Sequence, residues 1–102
     1  MIYFDHNGDR YRLRHHYEND SRTVVKCEDF DFKGLLKFDR SLNVLGPLGL
    51  VLGRLQGFTE SGADEWSLLL ADGSVTNLGV PVNDYSWQGI LKAEVEASKV
   101  LL

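Results

Sequence analysis

The chain has 102 residues, 43% hydrophobic and 11% aromatic, enough to bury one compact core and too few for two. Its 25% charged content argues against a disordered tail, a collagen-like repeat or a coiled coil. The net charge of −4 is unevenly placed: residues 1–40 hold eight basic and eight acidic side chains, residues 41–102 only three and seven, so basic character is confined to the first part.

Asn7-Gly8 reads as a two-residue hairpin turn, because both residues tolerate the positive φ that such turns demand. Placing the turn there fixes a register: Asp5 opposite Arg10, Phe4 opposite Tyr11, Tyr3 opposite Arg12, Ile2 opposite Leu13. Apolar partners then share one face, continued by Leu13, His15 and Tyr17, while the other face carries Tyr3 and the row Arg10, Arg12, Arg14. Glu18 to Ser21 is a polar turn, and Thr23 to Phe32 a third strand. Its alternation changes phase between Cys27 and Phe30, which predicts a bulge near Glu28-Asp29. Gly34 permits a turn into Leu35–Phe38, and Asp39-Arg40-Ser41 breaks the pattern again.

From Val44 to Phe58 the leucines are spaced by Gly46, Gly49, Gly53, Gly57 and Pro47, a composition that disfavours helix, since each interior glycine costs ~1 kcal/mol relative to alanine. Gly49 to Phe58 is therefore expected as a strand, Leu45 to Leu48 as an apolar loop and Thr59 to Glu65 as an acidic connector. Trp66 to Val80 forms a second hairpin about Asp72-Gly73; a two-residue loop pairs Leu70 with Val75, a three-residue loop with Gly73 left-handed pairs Leu69 with Val75. Leu68-Leu69-Leu70 is apolar on both faces, as in a central strand covered on two sides. The cover is expected from the end of the chain. Asn83 or Ser86 can cap a helix on which Trp87, Ile90, Leu91, Val95 and Ser98 share a face and Lys92 pairs with Glu96 outside.

The arginine row is the first candidate site, because guanidinium groups spaced about 7 Å along a strand could meet an acidic protein surface or successive phosphates. Asp5 and Asp9 are expected to neutralise part of it, and the acidic total disfavours nucleic acid. His15 and His16 could suggest a metal, with His6 or Cys27 completing the site, but neighbours on a strand point to opposite faces. His15 is expected to be half-buried and His16 at the surface. Cys27 could be a nucleophile, but its acidic flank Glu28-Asp29-Phe30-Asp31 would raise a thiol pKa, so it reads as a small core hydrophobe. Asp29 and Asp31 share a face and are expected to be solvating charge. No phosphate loop, nucleophile elbow or dinucleotide fingerprint occurs, so no cofactor is implied.

A single cysteine excludes an internal disulfide and suits a reducing cytoplasm. Met1 to Tyr17 is studded with Asp and Arg where a signal peptide would be apolar, and the uncharged run Ser41–Gly53 falls short of the ~20 residues of a membrane helix. The expectation is one α+β domain over residues 1–102: five or six mainly antiparallel strands in a curved sheet, with one C-terminal helix packed on it. Its function is expected to be non-enzymatic protein binding, by occupying a partner's surface as inhibitor, immunity or anti-defence proteins do, through Tyr3, Arg10, Arg12, Arg14 and His16. Three alternatives remain: a structural subunit of a homo-oligomer such as a homodimer, using the Gly49–Phe58 strand or the helix; a nucleic-acid contact through the Arg10/Arg12/Arg14 stripe; and an enzyme using His15 or His16 with a carboxylate, if those groups converge in a pocket.

Overall fold

A computed structural model describes residues 3–27, 36–57, 65–82 and 87–101. Among them, eight antiparallel strands follow one another in chain order across one sheet: β1 (Tyr3–His6), β2 (Asp9–His16), β3 (Ser21–Lys26), β4 (Lys37–Phe38), β5 (Asn43–Leu45), β6 (Val51–Gln56), β7 (Glu65–Leu70) and β8 (Val75–Pro81). One helix, α1 (Trp87–Leu101), completes the α+β architecture. The count exceeds the five or six strands expected because β4 and β5 are short. Lys37–Phe38 and Asn43–Leu45 give no alternation long enough to read, yet the backbone pairs Phe38 with Val44.

The first hairpin has the register that the sequence dictates: Tyr3 lies opposite Arg12, Phe4 opposite Tyr11 and Asp5 opposite Arg10. Asn7 at φ +50 and Gly8 at φ +82 give the turn a twist that matches the flanking strands. The pairing expected of Ile2 lies outside the described residues, as do the bulge near Glu28-Asp29, the Asp29/Asp31 face, the acidic connector beyond Gly57 and the helix cap. β3 begins at Ser21, earlier than expected. In the second hairpin Leu69 faces Val75 and Gly73 adopts φ +90, the three-residue alternative. Asp72 Oδ1 accepts from the Ser74 N–H and hydroxyl at 2.9 and 2.6 Å, and these bonds hold its carboxyl below its usual pKa. Asp39 shapes the β4–β5 turn similarly, accepting from the backbone of Ser41 and Asn43.

The stretch read as an apolar loop is partly strand: Leu45 belongs to β5, followed by a short 3-10 turn at Pro47–Gly49. β6 lies inside the sheet, bonded to β5 on one side and β7 on the other. Gly53 permits its approach to β7, since a Cβ there would stand 2.7 Å from the Leu69 carbonyl oxygen.

Alternation sends Phe4, Tyr11, Leu13, Val24, Phe38, Val44, Leu55 and Leu68 to the inner face, over which α1 lies. Leu91 and Val95 meet Phe4, Tyr11 and Val24; Ala93 and Ala97 meet the larger cluster of Phe38, Leu55, Trp66, Leu68, Leu78 and Val80. The buried stripe of α1 thus differs from the one expected. It includes Ala93, Ala97 and Glu94, while Trp87 is 44% exposed. Glu96 bonds His6 and Lys99, in place of the expected Lys92. No helix among the described residues is long and apolar enough to cross a membrane.

Candidate functional site: a basic hairpin face and a charged cleft

On the outer face, strand alternation places Tyr3, Arg10, Arg12 and Arg14 side by side. Tyr3 is 46% exposed, and the Arg10 guanidinium lies over its ring at 5.0 Å. Arg10 and Arg14 are exposed and Arg12 is half-buried. His16 follows on the same face, sharing a 2.7 Å hydrogen bond with Thr23 Oγ1. Its pKa is lowered first by burial and then by the nearby charge of Lys37, so the imidazole favours its neutral form. Asp5 opposes the stripe, but Asp9 does not: it points to the inner side and pairs with Lys26 at 3.4 Å.

The two neighbouring histidines diverge, as strand geometry requires, but with burial opposite to expectation. His15 is exposed and bonds the exposed Asp20, whereas His16 is half-buried and bonds the buried Thr23. No group of three or more metal-ligating side chains occurs among the described residues. Cys27 is half-buried rather than a core residue, since it lies just past the end of β3.

On the inner side, Leu13, His15, Asp20, Ser21, Arg22, Arg40 and Trp87 line a cleft of about 330 Å³. Asp20 lies between two nitrogen-bearing side chains, 3.1 Å from His15 Nε2 and 3.0 Å from Arg40 Nε. Deeper, Arg22 donates through Nε at 2.9 Å, and through Nη2, to the same oxygen, Oε1 of Glu94. Its guanidinium also lies over the Trp87 ring at 4.6 Å. Glu94 is wholly buried, and its Oε2 meets no hydrogen-bond partner among the described residues. Burial pushes this carboxyl up to about 7, against the lowering effect of Arg22.

Of the candidates read from sequence, the fold thus gathers the arginine row, Tyr3 and His16 on one face, and places His15 with a carboxylate in a cleft away from them. Arg22 and Glu94 were not anticipated, although a signal exists. Arg22 has the inward parity of Val24, and Glu94 falls between Leu91 and Ala97 on the helix, so two opposite charges share faces otherwise apolar. Comparison with protein-family models, curated proteins and solved structures returned no match.

Proposed function

We propose that the protein is a non-enzymatic binding module that occupies an acidic surface of a partner protein, acting in a reducing compartment such as the cytoplasm. The observation that supports this is the alignment of Tyr3, Arg10, Arg12, Arg14 and His16 on the outer face of a hairpin at the sheet edge. Arginine and tyrosine are the usual energetic anchors of protein interfaces, and truncating one at a central position typically costs ~2 kcal/mol or more. The ring of Tyr3 beneath Arg10 orders that guanidinium in advance, which reduces the entropy lost on binding.

The test is affinity purification of the tagged protein from its native cells, with Arg12→Glu as a parallel control and mass determination of what elutes. A stoichiometric partner captured by the parent chain and lost in the variant supports the reading, provided the variant's circular dichroism is unchanged. A partner retained at full affinity by Arg12→Glu removes this surface from consideration.

A homo-oligomeric subunit is the second reading, favoured by Leu48, Leu50 and Val51, which are large apolar side chains exposed at the β5–β6 bend. Leu48 takes φ +61, a conformation unfavourable for a branched side chain, and turns it wholly to solvent. The bend replaces the contact first expected of this stretch, because β6 is paired along both edges and has none to offer a second chain. Mass measured against concentration separates the two readings.

A further inference from the structure

We propose that the cleft between β2, β3 and the start of α1 binds a small organic oxyanion, a carboxylate or phosphate attached to a flat apolar body. The site lies on the opposite face of the sheet from the hairpin surface and does not depend on the function proposed for it.

Arg22 carries the argument. It is only 8% exposed, yet it lines the cleft, so the part of its surface that remains open faces the cavity. A guanidinium has five N–H donors in a rigid fork. Both of its hydrogen bonds to Glu94 leave from Nε and Nη2 and end on one oxygen, so the pair with Glu94 does not use Nη1. An oxyanion in the cleft would meet the remaining N–H donors of this guanidinium with charge assistance. Trp87 holds the guanidinium plane at 4.6 Å, so this donor edge is already oriented.

The remaining walls define the ligand. Trp87 and Leu13 offer flat apolar surface for its body. At the rim, His15 and Arg40 both grip the carboxylate of Asp20, so the cleft already accommodates one oxyanion of its own. Glu94 is the carboxylate paired with Arg22, and its tendency to hold a proton near neutrality leaves the arginine charge short of compensation. A volume of about 330 Å³ is at the lower end for small-molecule sites, which suits a one-ring ligand. A second hollow, about 300 Å³ lined by Tyr11, Val24, Val95, Ser98 and Lys99, has among these residues just Lys99 to meet an anion and offers no comparable recognition.

The test is nuclear magnetic resonance of the full chain with benzoate, phenyl phosphate and inorganic phosphate as probes, reading the Arg22 Nε–H and Trp87 indole N–H signals. Saturable shifts at both groups are expected with benzoate or phenyl phosphate. The ring-bearing probes distinguish a carboxylate preference from a phosphate preference, and inorganic phosphate is expected to bind more weakly than phenyl phosphate. Two exposed substitutions should act in opposite directions. Arg40→Ala is expected to weaken benzoate binding about two- to five-fold, the strength of an exposed ion pair, and Asp20→Asn to tighten it by removing the competing carboxylate. Trp87→Ala should weaken phenyl phosphate more than inorganic phosphate. Absence of any saturable shift up to about 10 mM, the range of very weak ligands, overturns the proposal. Binding that is the same in Arg40→Ala and Asp20→Asn overturns it too, as does inorganic phosphate binding as tightly as phenyl phosphate. These variants alter exposed groups and leave the Arg22–Glu94 pair in place, so loss of folding does not mimic the result.

Discussion

Under α1, strands β4–β8 contribute the larger apolar cluster around Phe38, Trp66 and Leu68, whereas β1–β3 contribute Phe4, Tyr11 and Val24 and add two polar links, Arg22–Glu94 and His6–Glu96. Apolar burial stabilises the helix on the first side without fixing its axial position closely, since dispersion contacts vary smoothly with small shifts. Polar links behave differently. A donor moved by an ångström loses most of its bond, so Arg22 and His6 set where α1 lies along the sheet. Burying a large aliphatic or aromatic side chain contributes roughly 1.5–3 kcal/mol, while a buried ion pair often returns little more than its desolvation cost. The larger cluster therefore carries most of the stability, and the smaller side carries the alignment and the charged cleft.

The difference can be broken most forcefully in the apolar half. Leu68→Ala, at a fully buried position, is expected to cost ~2–5 kcal/mol in urea unfolding, a loss that can unfold a domain of this size. Arg22→Leu should cost about 3–5 kcal/mol by leaving Glu94 buried without its cation, and the double variant Arg22→Leu with Glu94→Leu should recover most of that loss. If the double variant is no more stable than the single one, the pair contributes net stability and the division of labour above fails.

Next in size is the response to pH. The rise of the Glu94 carboxyl from 4.5 to about 7 means that it binds its proton more tightly in the folded chain. Its contribution is therefore full below pH 4.5 and is lost as pH climbs through about 7, a change on the order of 3 kcal/mol. His16 works the other way, since its lowered pKa makes stability rise as pH approaches 6.5. Urea unfolding at intervals from pH 4.5 to 8 should show a net decline, and Glu94→Gln should remove it. The smallest effect is at the edge: His6→Ala should cost about 0.5–1 kcal/mol, an ordinary partly exposed pair, and should speed amide exchange in β1 while leaving β7 unchanged.

Local rules recover those parts of this fold that local rules determine. Asn7-Gly8 dictated the first hairpin to the residue, because a two-residue turn leaves no freedom of register. Gly73 offered two registers, and only the geometry of the neighbouring strands selects between them. The short β4 and β5 escape any periodicity, being held by the strands on either side. On α1 the apolar stripe was legible but Glu94 was not, because a carboxylate becomes an inward residue only when an arginine from a strand 72 positions away receives it. The arginine row was legible from alternation alone. The cleft was not, since Arg40 and Trp87 reach it from turns and termini that share no pattern with β2 or β3.

The described strands precede α1 in the chain, and α1 contributes residues to both clusters of the inner face. During synthesis, then, the strands described above emerge from the ribosome before the segment that covers them. Until Trp87–Leu101 arrives, Phe38, Trp66 and Leu68 line a surface that a neighbouring nascent chain or a chaperone can reach. A hairpin that closes early shelters Phe4 against Tyr11, their rings stacked at 5.5 Å, but the rest must wait. Exposure of this face before the helix docks therefore bears on how much protein accumulates in usable form, independently of how stable the finished fold is.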